Sequence, residues 1–214
     1  MKEQFLEYLN AIESYFIERN NNHFIFRNFI LNSINKFQDT LKAQFDQYTE
    51  DDLENDESHF SSLLIDFHVY YPNNVEYLSV LQLYTNLELT LKSLCDSINQ
   101  FEQNKLKYKD FKGDNTIDSF RKYLIYSYDF DIKELIDWNL IDEFRLIRNI
   151  IAHSNGFVDE DNQKLIKTIN DNGLFSIDKV TKQIMINSDY PLYTTNALND
   201  IVKSIVAQIK QSLI

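Results

Sequence analysis

The scarcity of helix-breaking residues is the strongest constraint on how this chain can fold. Its 214 residues include only three glycines and two prolines. Glycine and proline are the residues that most often end helices and form tight turns. We therefore expect long helices with few turns between them. A content of 43% hydrophobic and 14% aromatic residues is enough for a packed core rather than a disordered chain.

Apolar side chains recur at intervals of three and four residues along most of the chain, which is the spacing of a helix with one buried face. The predicted helices are about 2–19, 23–47, 60–70, 74–104, 116–126, 138–153, 161–170 and 194–213, with one or two helical turns at 131–136. Two short apolar segments, 174–177 and 183–186, flank a polar turn and predict a β-hairpin. The predicted fold class is all-α: an up-and-down helical bundle with a small C-terminal β-hairpin and a final helix.

Breaks between helices are expected where turn residues or caps occur. The asparagines at 20–22 should bend or end the first helix, and Tyr71-Pro72 should stop a short one. Thr194 or Thr195 is expected to cap the last helix. Asp137 is expected to cap the helix that begins at Trp138.

We expect one domain over residues 1–214. It comprises an N-terminal helical extension of unplaced role (1–73), a core that carries the functional motif (74–156), and the hairpin with the last helix (157–214). In the extension, the second helix has an apolar stripe that includes Phe26, Phe29 and Phe37.

The formal net charge of −12 and a pI near 4.7 disfavour general adhesion to nucleic acid or to anionic membranes. A role on RNA or DNA would therefore need a local basic patch. The single cysteine, Cys95, excludes an internal disulfide, fits a reducing compartment and is expected to be a buried, inert thiol. No secretory segment and no apolar run of membrane-spanning length is evident, so we expect a cytoplasmic protein with no membrane partner.

No metal ion or cofactor is expected. The acidic run at 50–57 lacks the alternating ligands and central glycine of a calcium loop, so a solvated loop is favoured over a cation site. His23, His59 and His68 lie in separate helical contexts without the spacing of zinc ligands. No glycine-rich phosphate loop is present.

The functional signal is concentrated in residues 143–156, which read EFRLIRNIIAHSNG. An apolar stripe predicts one buried helix face, formed by Leu140, Phe144, Ile147 and Ile151. Polar and cationic side chains occupy much of the remaining surface, namely Arg145, Arg148, Asn149 and His153. Gly156 then supplies the left-handed residue that a helix end favours.

The segment from Arg148 and Asn149 to His153 resembles the motif of HEPN domains. These are α-helical bundles with an arginine, usually a polar residue next to it, and a histidine a short distance further along. The helix that begins at Trp138, the trailing 154–156, and the hairpin before the last helix are similar to a common bacterial subset. The resemblance is supported by residues 74–156.

This resemblance implies a metal-independent endoribonuclease that acts as a homodimer in a toxin–antitoxin, abortive-infection or other defence setting. RNA would be its substrate, and an antitoxin or another protein a partner. His153 would transfer the proton, Arg148 would stabilise the phosphate, and Asn149 would orient one of them. The residue types suit the chemistry, because histidine titrates near neutral pH and arginine is a fixed cation for phosphate oxygens. Some HEPN toxins have a modified tyrosine where this chain has Asn155, so that mode of inactivation is not expected.

Helix geometry adds a constraint on such a site. On one helix, Arg148 and His153 would point about 140° apart and be separated by a rise of about 7.5 Å. Asn149 and His153 share a face. One chain therefore provides a poor site for a single phosphate, and two antiparallel copies of this helix would bring the residues together.

Other interpretations stand beside this one. Arg145, Arg121 and Lys122 are weaker candidates for RNA contacts, and a solvated basic face is their alternative. A histidine in the last helical turn interacts favourably with the helix dipole, and an arginine can pair with Asp142 or Glu143. The alternative function is a catalytically silent, HEPN-like helical module for dimerisation or protein binding. Nucleotide binding without hydrolysis is a third interpretation.

Overall fold

The computed structural model describes residues 2–46, 61–63, 65–128, 138–159, 161–171 and 173–213. The helices are α1 (Lys2–Phe45), α2 (Tyr71–Glu102), α3 (Thr116–Tyr128), α4 (Trp138–Ser154), α5 (Gln163–Asp171) and α6 (Tyr190–Ser212). Strands β1 (Phe175–Ile177) and β2 (Ile184–Ile186) form an antiparallel hairpin that precedes α6. The predicted all-α bundle with a C-terminal hairpin and a final helix is confirmed.

Helix α2 is the central helix of the bundle and contacts α1, α3, α4, α6 and β2. Its apolar face is fully buried at Leu83, Leu87, Leu91, Leu94 and Ile98. Helix α1 runs antiparallel to it, because Phe5 stacks on Phe101 near one end while Arg27 reaches Glu76 near the other. The expected boundary at residue 73 lies inside α2, and α1 contributes its own buried residues, such as Leu9 and Phe16, to the same core.

Helix α1 continues through residues 20–22, where we expected a bend or an end. Asn20 is fully buried. Its amide nitrogen donates to Asn199 Oδ1 of α6 at 3.0 Å, and its oxygen accepts from Asn86 Nδ2 of α2 at 2.9 Å. The side chain is thus satisfied by the neighbouring helices instead of competing for its own backbone. These tertiary hydrogen bonds outweigh the low helix propensity of asparagine.

The second half of α1 does not bury the apolar stripe seen in the sequence. Leu41 is buried, but Phe26 and Phe29 are 62% and 64% exposed, and Phe37 is 47% exposed. Arg27, which lies between Phe26 and Phe29 in the sequence, is buried instead of them. The helix is rotated in this way because a carboxylate of α2 binds the arginine.

Arg27 and Glu76 form a buried ion pair in which each side chain is 4% exposed. Arg27 Nε donates to Glu76 Oε2 at 2.7 Å, and Nη2 donates to Oε1 of the same carboxylate. Nη2 also donates to the carbonyl oxygen of Ser188 at 2.8 Å, just before α6. One guanidinium therefore joins α1, α2 and the start of α6.

Both prolines lie in the first turn of a long helix. Residues 66–70 form a π-helical turn that leads directly into α2, with Pro72 at its beginning. The expected stop at Tyr71-Pro72 is therefore wrong. Likewise α6 begins at Tyr190 with Pro191 in its first turn, and Thr194 and Thr195 are buried inside the helix instead of capping it. Proline is tolerated at residue 191 because its missing N–H would have no partner in the first turn of a helix.

Other predicted features either agree with the structure or lie outside the described residues. Helices α3 and α4 lie where the sequence predicts them. Cys95 is fully buried, and burial raises the pKa of its thiol, as expected for an inert cysteine. The acidic run at 50–57, the turns at 131–136 and Asp137 lie outside the described residues. Across the described ranges, no helix combines the length and the apolar character needed to cross a membrane.

The ion pair makes a testable prediction. Glu76→Gln leaves the Arg27 charge buried without a counter-charge, so we expect the free energy of unfolding to fall by about 3–5 kcal/mol, measured by chemical denaturation followed by circular dichroism. Asp96→Asn is the control, since it breaks a Lys92–Asp96 pair whose side chains are about half exposed. The control should unfold like the parent protein. An equal, small effect of both substitutions would contradict the assigned role of the buried pair.

Candidate functional site

Helix α4 ends in a turn that is fixed by contacts with α2 and the hairpin. Asn155 and Gly156 have φ angles of 48° and 78°, and the Gly156 N–H donates to the carbonyl oxygen of Ile150 at 3.1 Å. A Cβ atom on Gly156 would lie 1.9 Å from the Tyr77 hydroxyl oxygen. Glycine is therefore required twice, for its left-handed conformation and for the space that the tyrosine occupies.

The hairpin holds this turn against α2. Tyr77 and Asn73 of α2 donate to the carbonyl oxygen of Ile184 at 2.6 and 3.1 Å, and Asn73 Oδ1 accepts from the Ile186 N–H at 3.0 Å. The Ile184 N–H donates to the Gly156 carbonyl oxygen at 2.8 Å. Burial raises the pKa of Tyr77 to about 12, so its hydroxyl remains protonated and can donate at neutral pH. These bonds fix the position of the last turn of α4, which carries the motif histidine.

Arg148 points from α4 toward α2. Its guanidinium lies 5.0 Å above the ring centroid of Tyr84, and its Nη1 donates to Asn149 Oδ1 at 3.0 Å. Burial raises the pKa of Tyr84 to about 12. Burial also raises the pKa of Glu88, one turn along α2, against the opposing charge of Arg148. The guanidinium is thus oriented by the ring of Tyr84 and the amide of Asn149.

His153 is exposed in the last turn of α4, and none of the described residues forms a hydrogen bond with it. Arg145, not Arg148, is the arginine close to Asp142, at 3.5 Å between Nη2 and Oδ1. Arg148 therefore lies against the neighbouring helix, while His153 is exposed to solvent.

Two of the three weaker candidates, Arg121 and Arg145, lie together. They line a polar cavity of about 300 Å³ between α3 and α4. The guanidinium of Arg121 lies 4.9 Å above the ring of Trp138. The Nε atom of Arg145 is buried and has no hydrogen-bond partner.

Lys122, the third candidate, is not part of the cavity lining. Its Nζ lies 2.9 Å from Asp118 Oδ2 and donates to the carbonyl oxygen of Lys112 at 2.8 Å. These contacts fasten the connector before α3 to the helix. Lys122 therefore has local structural partners.

Tyr77 and Tyr84 are buried in the core, and their contacts with the motif helix could not be foreseen from the sequence. Their seven-residue spacing puts them on one face of α2, and Glu88 follows Tyr84 by one turn. The sequence does not show which helix this face meets. Among the residues that the structure describes, no group of three histidine, cysteine or acidic side chains could hold a metal ion.

Comparisons of the chain with known protein families, with curated proteins and with solved structures found no match. Function therefore has to be inferred from the motif residues and their surroundings.

The end of α4 makes a testable prediction. Gly156→Ala imposes a left-handed conformation on alanine, which costs about 1–3 kcal/mol, and it forces Tyr77 to move. We expect a lower midpoint of thermal unfolding and loss of the Tyr77 hydrogen bond. Gly173→Ala is the matched control, because no atom lies within 4 Å of the added Cβ. If the two alanine variants were equally stable, the turn would not be constrained as described.

Proposed function

We propose that this protein is a HEPN-type endoribonuclease that cleaves RNA without a metal ion and acts as a homodimer. The observation that supports the proposal is the arrangement of Arg148, Asn149 and His153 at the fixed end of α4. A cytoplasmic toxin or abortive-infection role, with an antitoxin or another protein as partner, belongs to the same proposal.

The chemistry requires two groups that this helix supplies. Attack of a ribose 2′-hydroxyl on the adjacent phosphorus forms the O2′–P bond and breaks the P–O5′ bond. The 2′-oxygen must lose a proton and the 5′-oxygen must gain one, which gives a cyclic phosphate and a free 5′-hydroxyl. His153, exposed to solvent, would carry the proton. Arg148, oriented by Tyr84 and Asn149, would stabilise the negative charge on the equatorial phosphate oxygens.

The divergence of the motif side chains supports the homodimer. Arg148 lies against α2, whereas His153 is open to solvent. A second copy with its α4 antiparallel to the first would place its histidine near the arginine of the first chain. Each dimer would then contain two composite sites, related by a two-fold axis.

The proposed catalytic roles can be tested by measuring RNA cleavage. The purified protein should cleave single-stranded RNA in the presence of EDTA. Arg148→Ala and His153→Ala should each lower the rate by about 100-fold or more, with unchanged helical circular dichroism. Lys203→Ala is the control, since this exposed lysine of α6 lies far along the chain from the motif and pairs with Asp200. Full activity in either motif variant would rule out the assigned roles.

The second prediction separates a composite site from a site within one chain. Unfolding and refolding an equal mixture of Arg148→Ala and His153→Ala chains makes half of the dimers mixed. In a mixed dimer one site has both residues and the other has neither, so about a quarter of the parent activity should return if the dimer is two-fold symmetric. No recovery from a mixture that sedimentation shows to contain dimers would exclude the composite site.

A second candidate is a helical dimerisation module without catalysis. The observation that favours it is the exposed apolar surface of α1, where Ile25, Phe26 and Phe29 are each more than 60% exposed within two turns. Exposed apolar patches of this kind mark association surfaces.

If α1 forms the dimer interface, Phe26→Ser with Phe29→Ser should give a monomer in sedimentation velocity experiments. Val180→Ser, at a residue 87% exposed in the hairpin turn, should leave the association state unchanged. A dimer that survives the double substitution, together with RNA cleavage, would reject this candidate.

A further inference from the structure

The cavity between α3 and α4 has an unusual mixture of charges. Its polar wall contains two guanidinium groups and three carboxylates, with one indole beside them: Arg121, Arg145, Asp114, Asp118, Asp142 and Trp138. Two positive and three negative charges make the wall unfavourable for a bare anion. A neutral ligand with both donors and acceptors would match it.

The hydrogen-bond donors of the two arginines in the cavity make few contacts with the described residues. Arg121 is held over the indole of Trp138, and in the described part of the chain its guanidinium makes no hydrogen bond. Arg145 also lines the cavity, and its Nη2 has a long contact of 3.5 Å to Asp142 Oδ1. Guanidinium donors with such weak contacts can bind the acceptors of a ligand.

Two of the three carboxylates in the cavity are also able to accept hydrogen bonds from a ligand. Although burial acts in the opposite direction, the pKa of Asp118 is lowered by hydrogen bonds from Lys122 and from the Asp114 N–H. That carboxylate is therefore charged and already bound. The carboxylates of Asp114 and Asp142 are exposed at the cavity and can accept hydrogen bonds from a ligand.

We propose that this cavity binds a guanine base. A volume of about 300 Å³ is at the lower end for small-molecule sites and suits one planar base. Guanine presents the acceptors O6 and N7, which arginine recognises, and the adjacent donors N1–H and N2–H₂, which carboxylates recognise. Adenine has an amino donor in place of O6, so it would direct a donor at a guanidinium.

Guanine binding would give the proposed nuclease a base preference. It rests on the proposed function only in that RNA would supply the guanine. Arg145 precedes His153 by eight residues, or about 12 Å along α4, a distance that a few nucleotides of single-stranded RNA can span. The cavity would then select a guanine close to the cleaved phosphate. Binding of the base itself does not require the motif residues to be catalytic.

Trp138 makes the test direct, because it is the only tryptophan in the chain and lies in the cavity wall. Guanosine 5′-monophosphate should change the tryptophan emission in a saturable way, with excitation at a wavelength that the base does not absorb. Adenosine 5′-monophosphate should bind at least ten-fold more weakly, and inorganic phosphate should give no change.

Variants tested by calorimetry assign the binding to the cavity. Asp114→Asn and Arg121→Gln should each weaken guanosine 5′-monophosphate binding by about ten-fold or more. Lys203→Gln is the control, since it removes the same charge as Arg121→Gln from an exposed position on α6. Equal binding of both nucleotides, binding of phosphate alone, or full affinity in both cavity variants would overturn the proposal.

The outcomes separate this inference from the proposed function. His153→Ala should keep its affinity for guanosine 5′-monophosphate while losing RNA cleavage. Guanine binding by a protein that cleaves no RNA would reject only the nuclease. Cleavage without guanine binding or preference would reject only the base site.

Discussion

The buried polar contacts between α1, α2 and α6 determine how the helices of this protein are aligned. Apolar faces alone permit helices to slide by a turn, because one leucine packs much like another. A buried amide or charge permits only the arrangement in which its partner is present. The Asn20–Asn86 and Arg27–Glu76 contacts lie about two turns apart on α1, so together they fix both the alignment and the rotation of α1 on α2.

The alignment of α2 then determines the surroundings of the motif. The same helix carries Glu76, which binds Arg27, and Tyr77 and Tyr84, which contact the turn at Gly156 and Arg148. A shift of α2 would move the groups that orient the motif arginine. The residues that hold the bundle together and those that arrange the candidate site are therefore interleaved along one helix.

The helix that carries the motif could be predicted from the sequence, whereas the residues that pack against it could not. The apolar period of α4 and its ending at glycine are local properties, and both lie where the sequence indicated. The helix ends expected at residues 20–22 and at Pro72 were wrong because local preference was outweighed. Asn20 is held by hydrogen bonds to other helices, and Pro72 lies where α2 continues the preceding helical turn.

The cavity between α3 and α4 could not be predicted from the sequence either. Arg121 and Arg145 were recognisable as basic residues, but their position at one cavity beside the ring of Trp138 depends on how α3 packs against α4. The outward rotation of Phe26 and Phe29 was equally hidden, because an apolar stripe reveals helical spacing and not whether a buried arginine takes the inner face.

The hairpin of β1 and β2 has only three residues in each strand, too few for independent stability. Side chains of α2 bind the backbone of β2, and β2 binds the turn that ends α4. The strands therefore unfold only as part of a larger cooperative unit that includes the central helix and the motif turn. In this architecture, loosening the motif for easier access to a ligand would also weaken the whole bundle, so flexibility at the site and stability of the fold cannot be adjusted independently.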